Sequence, residues 1–399
     1  MASKKSEKLR IGLFGFGVVG QGLFEVLQNV QTAEAVIKTI CIKDPDKKRK
    51  ADPNLFTLDP EQILNDPDIN LVVELIDDAD RAYEIVRSAL TRGKSVVSGN
   101  KKMLAHHLNE LIELQETFGA ALLYDASACG SIPVIRNLEE YYDNDLLQSI
   151  TGILNGSSNY ILSRIFSDNM GYDEALAEAQ ALGFAESDPV FDVEGFDSLY
   201  KSVILALHGI GTLVDPDEVV NFGISNLSSH DVLFAKEKGC RIKLVAEIRK
   251  LPDEKFTFFV MPKLVWPDAY IFNVEDEYNG VVIEGQFYDK QFMFGKGAGG
   301  HPTGSAVLSD ITARKHNYRY EYKKRNFFNP PYYSRDWVIE VYLRYHDVLD
   351  LSHFDFETIT EKYSGPKFNY VIGRIKLEDI YRIKKLLPRL NVFLASTGK

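Results

Sequence analysis

A glycine-rich turn near the N terminus constrains the fold of this chain more than any other feature. The apolar run Leu9 to Phe14 predicts a short buried strand, GFGVVGQG follows it directly, and an apolar pattern with helical spacing comes next. In such a turn the first glycine permits a tight bend, the second lets backbone amides approach a pyrophosphate, and the third lets helix and strand pack closely. A merely close-packed turn is the alternative, but the order of strand, turn and helix favours dinucleotide binding. The residues predicted to line that site are Gly15, Phe16, Gly17, Val18, Val19 and Gly20.

Strand-like and helical segments alternate after this turn. Apolar strand-like runs are followed by segments with helical periodicity as far as about residue 137. Such alternation predicts a parallel sheet covered by helices on both faces. The fold class is therefore α/β, with a Rossmann-type doubly wound domain at residues 1–137. The strand-like runs are 35–42, 69–76, 94–99 and 121–126, and the helical segments include 79–93 and 106–119.

The pattern changes beyond residue 137. Long helical segments followed by strand-like runs predict an α+β domain at residues 138–302. A second glycine-rich turn, GKGAGGHPTG, precedes a helix at 303–316 that is expected to complete the first domain. Residues 317–335 are rich in charge and aromatic side chains and contain a Pro-Pro pair, so they are interpreted as a linker. Residues 336–399 are predicted to form a small separate α+β domain.

Composition excludes several classes of function. The net charge of -11 disfavours nucleic acid and anionic membranes as partners, because both need a basic surface to neutralise phosphate. No run reaches the roughly 18 apolar residues of a membrane helix. The N-terminal segment MASKKSEKLR has no apolar core, so no signal peptide is expected. Cys41, Cys129 and Cys240 form neither a disulfide framework nor a zinc pattern, and a cytoplasmic location is therefore predicted.

The end of the second predicted strand bears on the choice between NAD and NADP. An acidic residue there would accept the ribose hydroxyls of NAD, but Lys43 comes before Asp44. Lys43 is a candidate ligand for a 2′-phosphate, which would select NADP. A solvated basic loop is the alternative, so both cofactors stay open. The other basic candidates nearby are Lys47, Lys48 and Arg49.

An acidic loop followed by a helix is the richest candidate for chemistry. Asp197 and Lys201 are four residues apart, so they share one face of the predicted helix. A surface ion pair is the usual explanation of this spacing, but the helix continues as SVILALHGIGTLV and is predicted to be buried. Its charged first turn should then face a lined cavity. The preceding loop lacks a calcium-binding spacing, so substrate ammonium binding is the favoured interpretation of its carboxylates, Glu186, Asp188, Asp192 and Glu194.

Several motifs in the same order identify a family. LNGSSNYIL resembles the LNGTTNYIL of homoserine dehydrogenases, and GFAESDPVFDVEGFDSLYK resembles their GYAE.DP..DVEG.D...K signature. SGNKKMLA is similar to TANKALLA, and YDASACGSIP to EA.VGGGIP. The resemblance covers most of residues 8–311. It implies reversible NAD(P)-dependent reduction of L-aspartate 4-semialdehyde to L-homoserine, in threonine and methionine biosynthesis. The alternatives are another amino-acid dehydrogenase on the same scaffold or a non-catalytic dinucleotide sensor.

The resemblance also implies roles for individual residues. Lys201 would donate the proton, Glu186 and Asp197 would hold the amino end of the substrate, and Lys101 would assist near the nicotinamide. Further implied substrate-binding residues are Asn155, Gly156 and Ser157. Further implied cofactor-binding residues are Ser98, Lys101, Gly183, Glu186 and Gly299. A sodium or potassium ion would be held by the backbone carbonyls of Asp125, Ala128, Gly130 and Ile132.

The sequence departs from the family pattern at two loops. Asp77 and Asp78 stand where the family usually has a glycine pair, and Ala128-Cys129-Gly130-Ser131 replaces a glycine-rich run. The resemblance implies a homodimer through the second domain. The tail from about Trp337 is faintly similar to an ACT regulatory unit, although no first helix is evident. The tail is therefore expected either to bind an amino acid such as threonine or to support dimerisation alone.

Overall fold

The computed structural model describes residues 8–30 and 34–398. Residues 1–7 lie outside the described residues. They make up most of the segment from which no signal peptide is expected. The chain forms two compact units: the first comprises the described residues of Met1–Tyr141 with Lys296–Asn326, and the second comprises Tyr142–Gly295 with the described residues of Phe327–Lys399.

The strands follow the predicted order closely. They are β1 (Leu9–Phe14), β2 (Ala35–Cys41), β3 (Phe56–Thr57), β4 (Leu71–Glu74), β5 (Ser95–Ser98), β6 (Leu122–Leu123), β7 (Leu147–Ile153), β8 (Val220–Asn221), β9 (Arg241–Leu251), β10 (Lys255–Val265), β11 (Tyr278–Gly285), β12 (Asp289–Lys296), β13 (Tyr332–Tyr333), β14 (Val338–Tyr345), β15 (Phe356–Ser364), β16 (Asn369–Lys376) and β17 (Val392–Ser396).

The helices include several single turns that periodicity does not reveal. They are α1 (Val18–Asn29), α2 (Glu61–Leu64), α3 (Ala79–Thr91), α4 (Lys101–Phe118), α5 (Val134–Glu140), α6 (Gly156–Ser167), α7 (Tyr172–Ala181), α8 (Val190–Val193), α9 (Phe196–Ile210), α10 (Ser229–Glu237), α11 (Gly300–Lys315), α12 (Lys323–Phe327), α13 (Val348–Leu351) and α14 (Leu377–Arg382).

The first unit contains a parallel six-stranded sheet. Its strand order is β3-β2-β1-β4-β5-β6, and every neighbouring pair runs parallel. The sheet confirms the predicted α/β class with a doubly wound N-terminal domain. Because the carboxyl ends of parallel strands lie at one edge, the turns after β1, β4 and β5 meet there, where ligands bind in folds of this kind. Helix α11 packs against α1 within the same unit.

The second unit is built on one large mixed sheet. Its main strand order is β12-β11-β7-β9-β10-β17-β14-β16-β15, and β8 and β13 also pair with β10. Helix α9 packs against β7, β9 and β10, and both Asp197 and Lys201 are buried. The burial predicted for this helix is therefore confirmed.

The C-terminal segment differs from the separate domain that the sequence suggests. Its last strand, β17, pairs with β10, so the segment continues the sheet of residues 142–295. Composition places boundaries at 137, 302 and 335, and the compact units change at 141, 295 and 326. Within the segment, the order of strands and helices with the arrangement β17-β14-β16-β15 is ferredoxin-like. Its first helix, α13, is a single turn.

Candidate active site

Gly15 and Gly20 in the glycine turn have no room for a side chain. Gly15 has a φ of +93°, and a Cβ placed on it would lie 2.5 Å from the carbonyl oxygen of Leu75. A Cβ on Gly20 would lie 2.3 Å from the carbonyl oxygen of Gly15. These two glycines therefore allow the strand, the turn and helix α1 to pack closely, as the pattern predicts.

Gly17 differs from these two glycines, because a side chain there would have room within the protein. A Cβ placed there would meet no protein atom within 4 Å, and Gly17 is the N-cap of α1 with no side-chain cap. The first turn of α1 therefore presents backbone amides to open space, with the partial positive charge of the helix N terminus behind them. This open cradle fits the pyrophosphate of a dinucleotide. A Cβ at Gly17 would fill it.

The basic loop after β2 lies beside a cavity. Lys43 is exposed, whereas Lys47 and Arg49 line a cavity of about 310 Å³ together with Phe56. The guanidinium of Arg49 lies 5.7 Å from the centre of the Phe56 ring, and its Nε is a buried donor without a partner among the described residues. The loop can therefore present more than one cation to a nucleotide phosphate, and Lys43 is not its only candidate.

A buried carboxyl group links the turns after β4 and β5. Glu74 is fully buried; Ser98 Oγ donates a hydrogen bond of 2.6 Å to one of its carboxyl oxygens, and Ile76 N donates one of 2.7 Å to the other. Asn100 N donates to Ser98 Oγ, and Asn100 Nδ2 donates to the carbonyl oxygen of Ile76. The side chain of Asn100 also caps α4, which begins at Lys101. This ring of hydrogen bonds holds Lys101 at the carboxyl edge of the sheet.

Burial raises the pKa of Glu74 to about 7, against the lowering effect of its hydrogen bonds, and the charge of Asp77 adds to the increase. An acid whose pKa is raised by folding binds its proton more tightly in the folded state, so the free energy of unfolding falls as pH increases from about 4.5 to about 7. The full difference corresponds to roughly 3 kcal/mol. Glu74→Gln mimics the protonated acid. We expect the variant to gain stability relative to wild type between pH ~5 and ~8, as measured by urea unfolding.

Glu247→Gln is a matched control with the opposite sign. Burial would raise the pKa of Glu247, but Lys263 and Arg249 outweigh it and lower that pKa. The control should therefore lose stability relative to wild type over the range in which the unfolded carboxyl ionises. Parallel stability curves for wild type and Glu74→Gln would show that Glu74 is ionised in the folded protein throughout this range.

The predicted pair on α9 is a buried ion pair. Lys201 Nζ lies 2.6 Å from Asp197 Oδ2, and Lys201 is only 6% exposed. The same ammonium donates a hydrogen bond of 2.6 Å to the carbonyl oxygen of Leu154. Lys201 makes no further hydrogen bond within residues 8–30 and 34–398. An ammonium has three donors, so one hydrogen is not used within the described residues.

Asn155 joins this ion pair to the acidic loop. Its Nδ2 donates to Asp197 Oδ2 at 3.0 Å and to Asp192 Oδ1 at 2.7 Å, while its Oδ1 accepts from Ser158 N at the start of α6. The next residue, Gly156, has no room for a side chain, since a Cβ would lie 2.6 Å from the carbonyl oxygen of Glu277. Asn155 thus orients the carboxylate that holds Lys201, and Asp192 takes part in the same network.

The remaining predicted residues lie in loops and at the ends of helices. Glu186 is exposed, and its carboxylate makes no hydrogen bond or ion pair with any described residue. Ser157 Oγ donates to the carbonyl oxygen of Phe184, which ties α6 to the loop after α7. Gly183 follows α7 and its cap residue with a φ of +77°, and Gly299 precedes α11 with a φ of +119°. The roles of these residues stay predictions.

The carbonyls predicted to hold a monovalent cation lie in a buried loop. Two of the four already accept backbone hydrogen bonds, Asp125 O from Ala128 N and Ile132 O from Val134 N. In the part of the chain described here, no group of three or more His, Cys, Asp or Glu side chains is placed to hold a metal ion. A carbonyl oxygen has two acceptor sites, so these hydrogen bonds leave one site on each oxygen, and the cation stays a prediction.

Comparison with known proteins establishes the family. The family model described as homoserine dehydrogenase matches residues 133–312, and that described as homoserine dehydrogenase, NAD binding domain, matches residues 15–125. The homoserine dehydrogenase of Bacillus subtilis is 32% identical over 91% of this chain and 87% of its own length. That of Synechocystis is 38% identical over 76% of this chain and 72% of its own. The chain belongs to the homoserine dehydrogenase family.

Solved structures of homoserine dehydrogenases agree with this assignment. A homoserine dehydrogenase from Thiobacillus denitrificans has a TM-score of 0.85 at 28% identity and covers 98% of both chains. A hyperthermophilic archaeal homoserine dehydrogenase in complex with NADPH has a TM-score of 0.68 at 26% identity, over 79% of this chain and 99% of its own. The chain is therefore an oxidoreductase that acts on the CH-OH group of homoserine with NAD(P). Neither alternative, another dehydrogenase or a silent sensor, is favoured.

Sequence analysis singles out neither Glu74 nor Asn279, a buried amide whose Nδ2 donates a hydrogen bond to the carbonyl oxygen of Leu154. Glu74 stands out only as an acid at the end of an apolar strand, and Asn279 only as an amide in the apolar run YNGVVIEG. A polar residue inside an apolar strand is the signal that could have found both residues, because a buried polar group needs a partner.

None of the described helices is both long and apolar enough to cross a membrane.

Proposed function

We propose that Lys201 donates the proton when this homoserine dehydrogenase reduces L-aspartate 4-semialdehyde to L-homoserine. When bound, the reduced nicotinamide supplies the hydride. The carbonyl oxygen of the substrate then gains negative charge and needs an acid within about 2.6–3.2 Å. The observation that carries the proposal is the buried Lys201 ammonium, held by Asp197 and Leu154 with one hydrogen unused.

Asp197 and Glu186 have different proposed tasks. Asp197 holds the ammonium in place through its hydrogen bond to Lys201, and Asn155 orients its carboxylate. Glu186, whose carboxylate is exposed and unpaired among the described residues, is available to bind the substrate's amino group. Lys101 begins α4 next to the cap Asn100, and it is the proposed assisting group on the nicotinamide side.

We propose that NADP is accepted at least as well as NAD, because cations lie beside the cavity after β2. Lys43→Asp would place a carboxylate at this position. The carboxylate would repel the 2′-phosphate of NADP and accept hydrogen bonds from the ribose hydroxyls of NAD. The ratio of kcat/KM for NADP to that for NAD should fall by about tenfold or more, which corresponds to ~1.4 kcal/mol. Steady-state assays at 340 nm with each cofactor measure it. An unchanged ratio would show that Lys43 does not bind the 2′-phosphate. Arg49→Ala is the comparison variant, and an unchanged ratio there too would leave the basic run as a solvated loop.

The C-terminal segment is proposed to bind an amino-acid effector such as threonine in a homodimer. A polar cavity of about 680 Å³ at this segment is lined by charges of both signs, among them Arg335, Lys376 and Glu357, which suits a zwitterion. The exposed side chains of Phe287 and Phe294 lie at or beside the edge strand β12, and such an edge can pair with a second copy. We expect a dimer by light scattering and heat of threonine binding by calorimetry. A dimer that neither binds threonine nor changes activity with it would leave a structural role alone.

Two further proposals concern the ionic and cellular environment. A sodium or potassium ion on the carbonyls of the loop 125–132 stays a prediction, and activity after exchange into a buffer without either ion tests it. A cytoplasmic location is supported by the cysteine side chains: all three, Cys41, Cys129 and Cys240, are buried as thiols and not joined in disulfides.

A further inference from the structure

Asn279 lies on β11 next to the ion pair of α9. It is fully buried, and its Nδ2 donates a hydrogen bond of 3.0 Å to the carbonyl oxygen of Leu154. The same oxygen accepts the hydrogen bond of 2.6 Å from Lys201 Nζ. Asn279 and Lys201 therefore use the two acceptor sites of one carbonyl.

The segment that carries this carbonyl holds both members of the ion pair. Leu154 accepts from Lys201, and the next residue, Asn155, donates to Asp197 Oδ2 at 3.0 Å. A movement of this segment would therefore displace the ammonium and its counter-charge together. The side chain of Asn279 ties this segment to β11 through its hydrogen bond to Leu154. The bond lies where the pairing of β7 with β11 ends, at Gly280 opposite Ile153.

The other end of the Asn279 amide is unusual. Its Oδ1 is buried and has no hydrogen-bond partner among the described residues. An unpaired buried acceptor destabilises a fold, so stability alone does not account for an asparagine at this position. An apolar side chain would suit the neighbouring strand residues better, since Val281 and Ile283 are fully buried.

We propose that Asn279 is a positioning residue for Lys201, acting through the carbonyl group of Leu154. The inference rests on the proposed role of Lys201 as proton donor. A displacement of about 1 Å in a reacting group can lower the rate on the order of a hundredfold. Loss of the Asn279 hydrogen bond should therefore affect turnover and leave the binding of homoserine and cofactor nearly unchanged.

Asn279→Ala in the full chain, with Val281→Ala as its matched control, tests the proposal. Val281 lies two residues along the same strand and is equally buried, so its truncation also removes packing. We expect Asn279→Ala to lower kcat by roughly tenfold to a hundredfold with little change in the KM for homoserine, and Val281→Ala to retain kcat. Asn279→Ser, which keeps a donor, should recover part of the loss and replaces the alanine variant if that variant does not fold.

Combination with Lys201→Met separates this inference from the role of Lys201 itself. If Asn279 acts through Lys201, Asn279→Ala should cause no further loss of kcat in the Lys201→Met background. An equal further loss, or an Asn279→Ala variant no slower than Val281→Ala, would overturn the positioning role. High activity in Lys201→Met alone would instead overturn the proton-donor proposal on which it rests.

Discussion

Lys201→Met lowers kcat for homoserine oxidation, and for the reverse reduction, by about a hundred- to ten-thousand-fold, the usual contribution of general acid-base catalysis. Methionine matches the length of the lysine stem but has no proton to give. Cofactor affinity, measured by fluorescence titration, should stay at the wild-type value because Lys201 is not part of the glycine turn. A folded Lys201→Met variant with more than about a tenth of wild-type kcat would exclude Lys201 as the donor, and Lys101 would be the next candidate.

Stability needs its own control in this experiment. From the spacing alone, loss of Lys201 is expected to leave the melting temperature nearly unchanged, since an exposed i,i+4 pair contributes only ~0.2–0.5 kcal/mol. The pair is instead buried, as the apolar helix predicts, so a larger effect is expected. Removal of one partner from a buried pair costs ~3–5 kcal/mol, whereas removal of both charges costs much less. Asp197→Asn combined with Lys201→Met should thus recover much of the melting temperature and remain inactive.

Glu186→Ala provides a contrast within the same assay. Since Glu186 is exposed and outside the Lys201 network, its loss should chiefly raise the apparent KM for homoserine. A large fall in kcat at saturating homoserine, with KM unchanged, would assign Glu186 to the chemical step instead.

Gly17→Ala weakens cofactor binding by about tenfold or more, or ~1.4 kcal/mol, without loss of stability. The new Cβ would meet no protein atom within 4 Å, so the fold can accept it. It would occupy the cradle at the N terminus of α1, where the backbone must approach the pyrophosphate. Titration with NADPH and with NADH measures the dissociation constants, and thermal unfolding measures stability.

Gly171→Ala is the matched control for this substitution. Gly171 is also the N-cap of a helix, α7, has an ordinary φ of -68°, and a Cβ there would likewise meet no atom within 4 Å. It should bind both cofactors like wild type. An unchanged dissociation constant in Gly17→Ala would mean that the pyrophosphate does not approach the turn at this glycine.

The local structures that depend on residues close together in the sequence are those that could be predicted. The order of β1, glycine turn and α1 depends on contacts within about twenty residues, and its glycines have the conformation or clearance that the motif requires. The pairing of Asp197 with Lys201 follows from helical geometry, which places side chains four residues apart on one face. The family motifs add identity, because several occur in one order.

Features that depend on distant segments could not be predicted in this way. Asn279 and Leu154 are 125 residues apart in the sequence, and the partners Glu74 and Ser98 are separated by 24. Nothing in the local pattern of either segment specifies the other, because such contacts depend on strand register and on the order of strands in a sheet. The same reason explains why the C-terminal strands join the large sheet.

The sequence by itself determines that the chain has a dinucleotide-binding turn, a buried helix with an acid and a lysine on one face, and membership of the homoserine dehydrogenase family. Only the tertiary structure decides that the Lys201 ammonium is held between Asp197 and Leu154 with one hydrogen left over. The physical reason is that helical periodicity determines which side chains are adjacent within a turn, whereas the packing of α9 against β7, β9 and β10 determines which backbone carbonyl meets them and how much water is excluded.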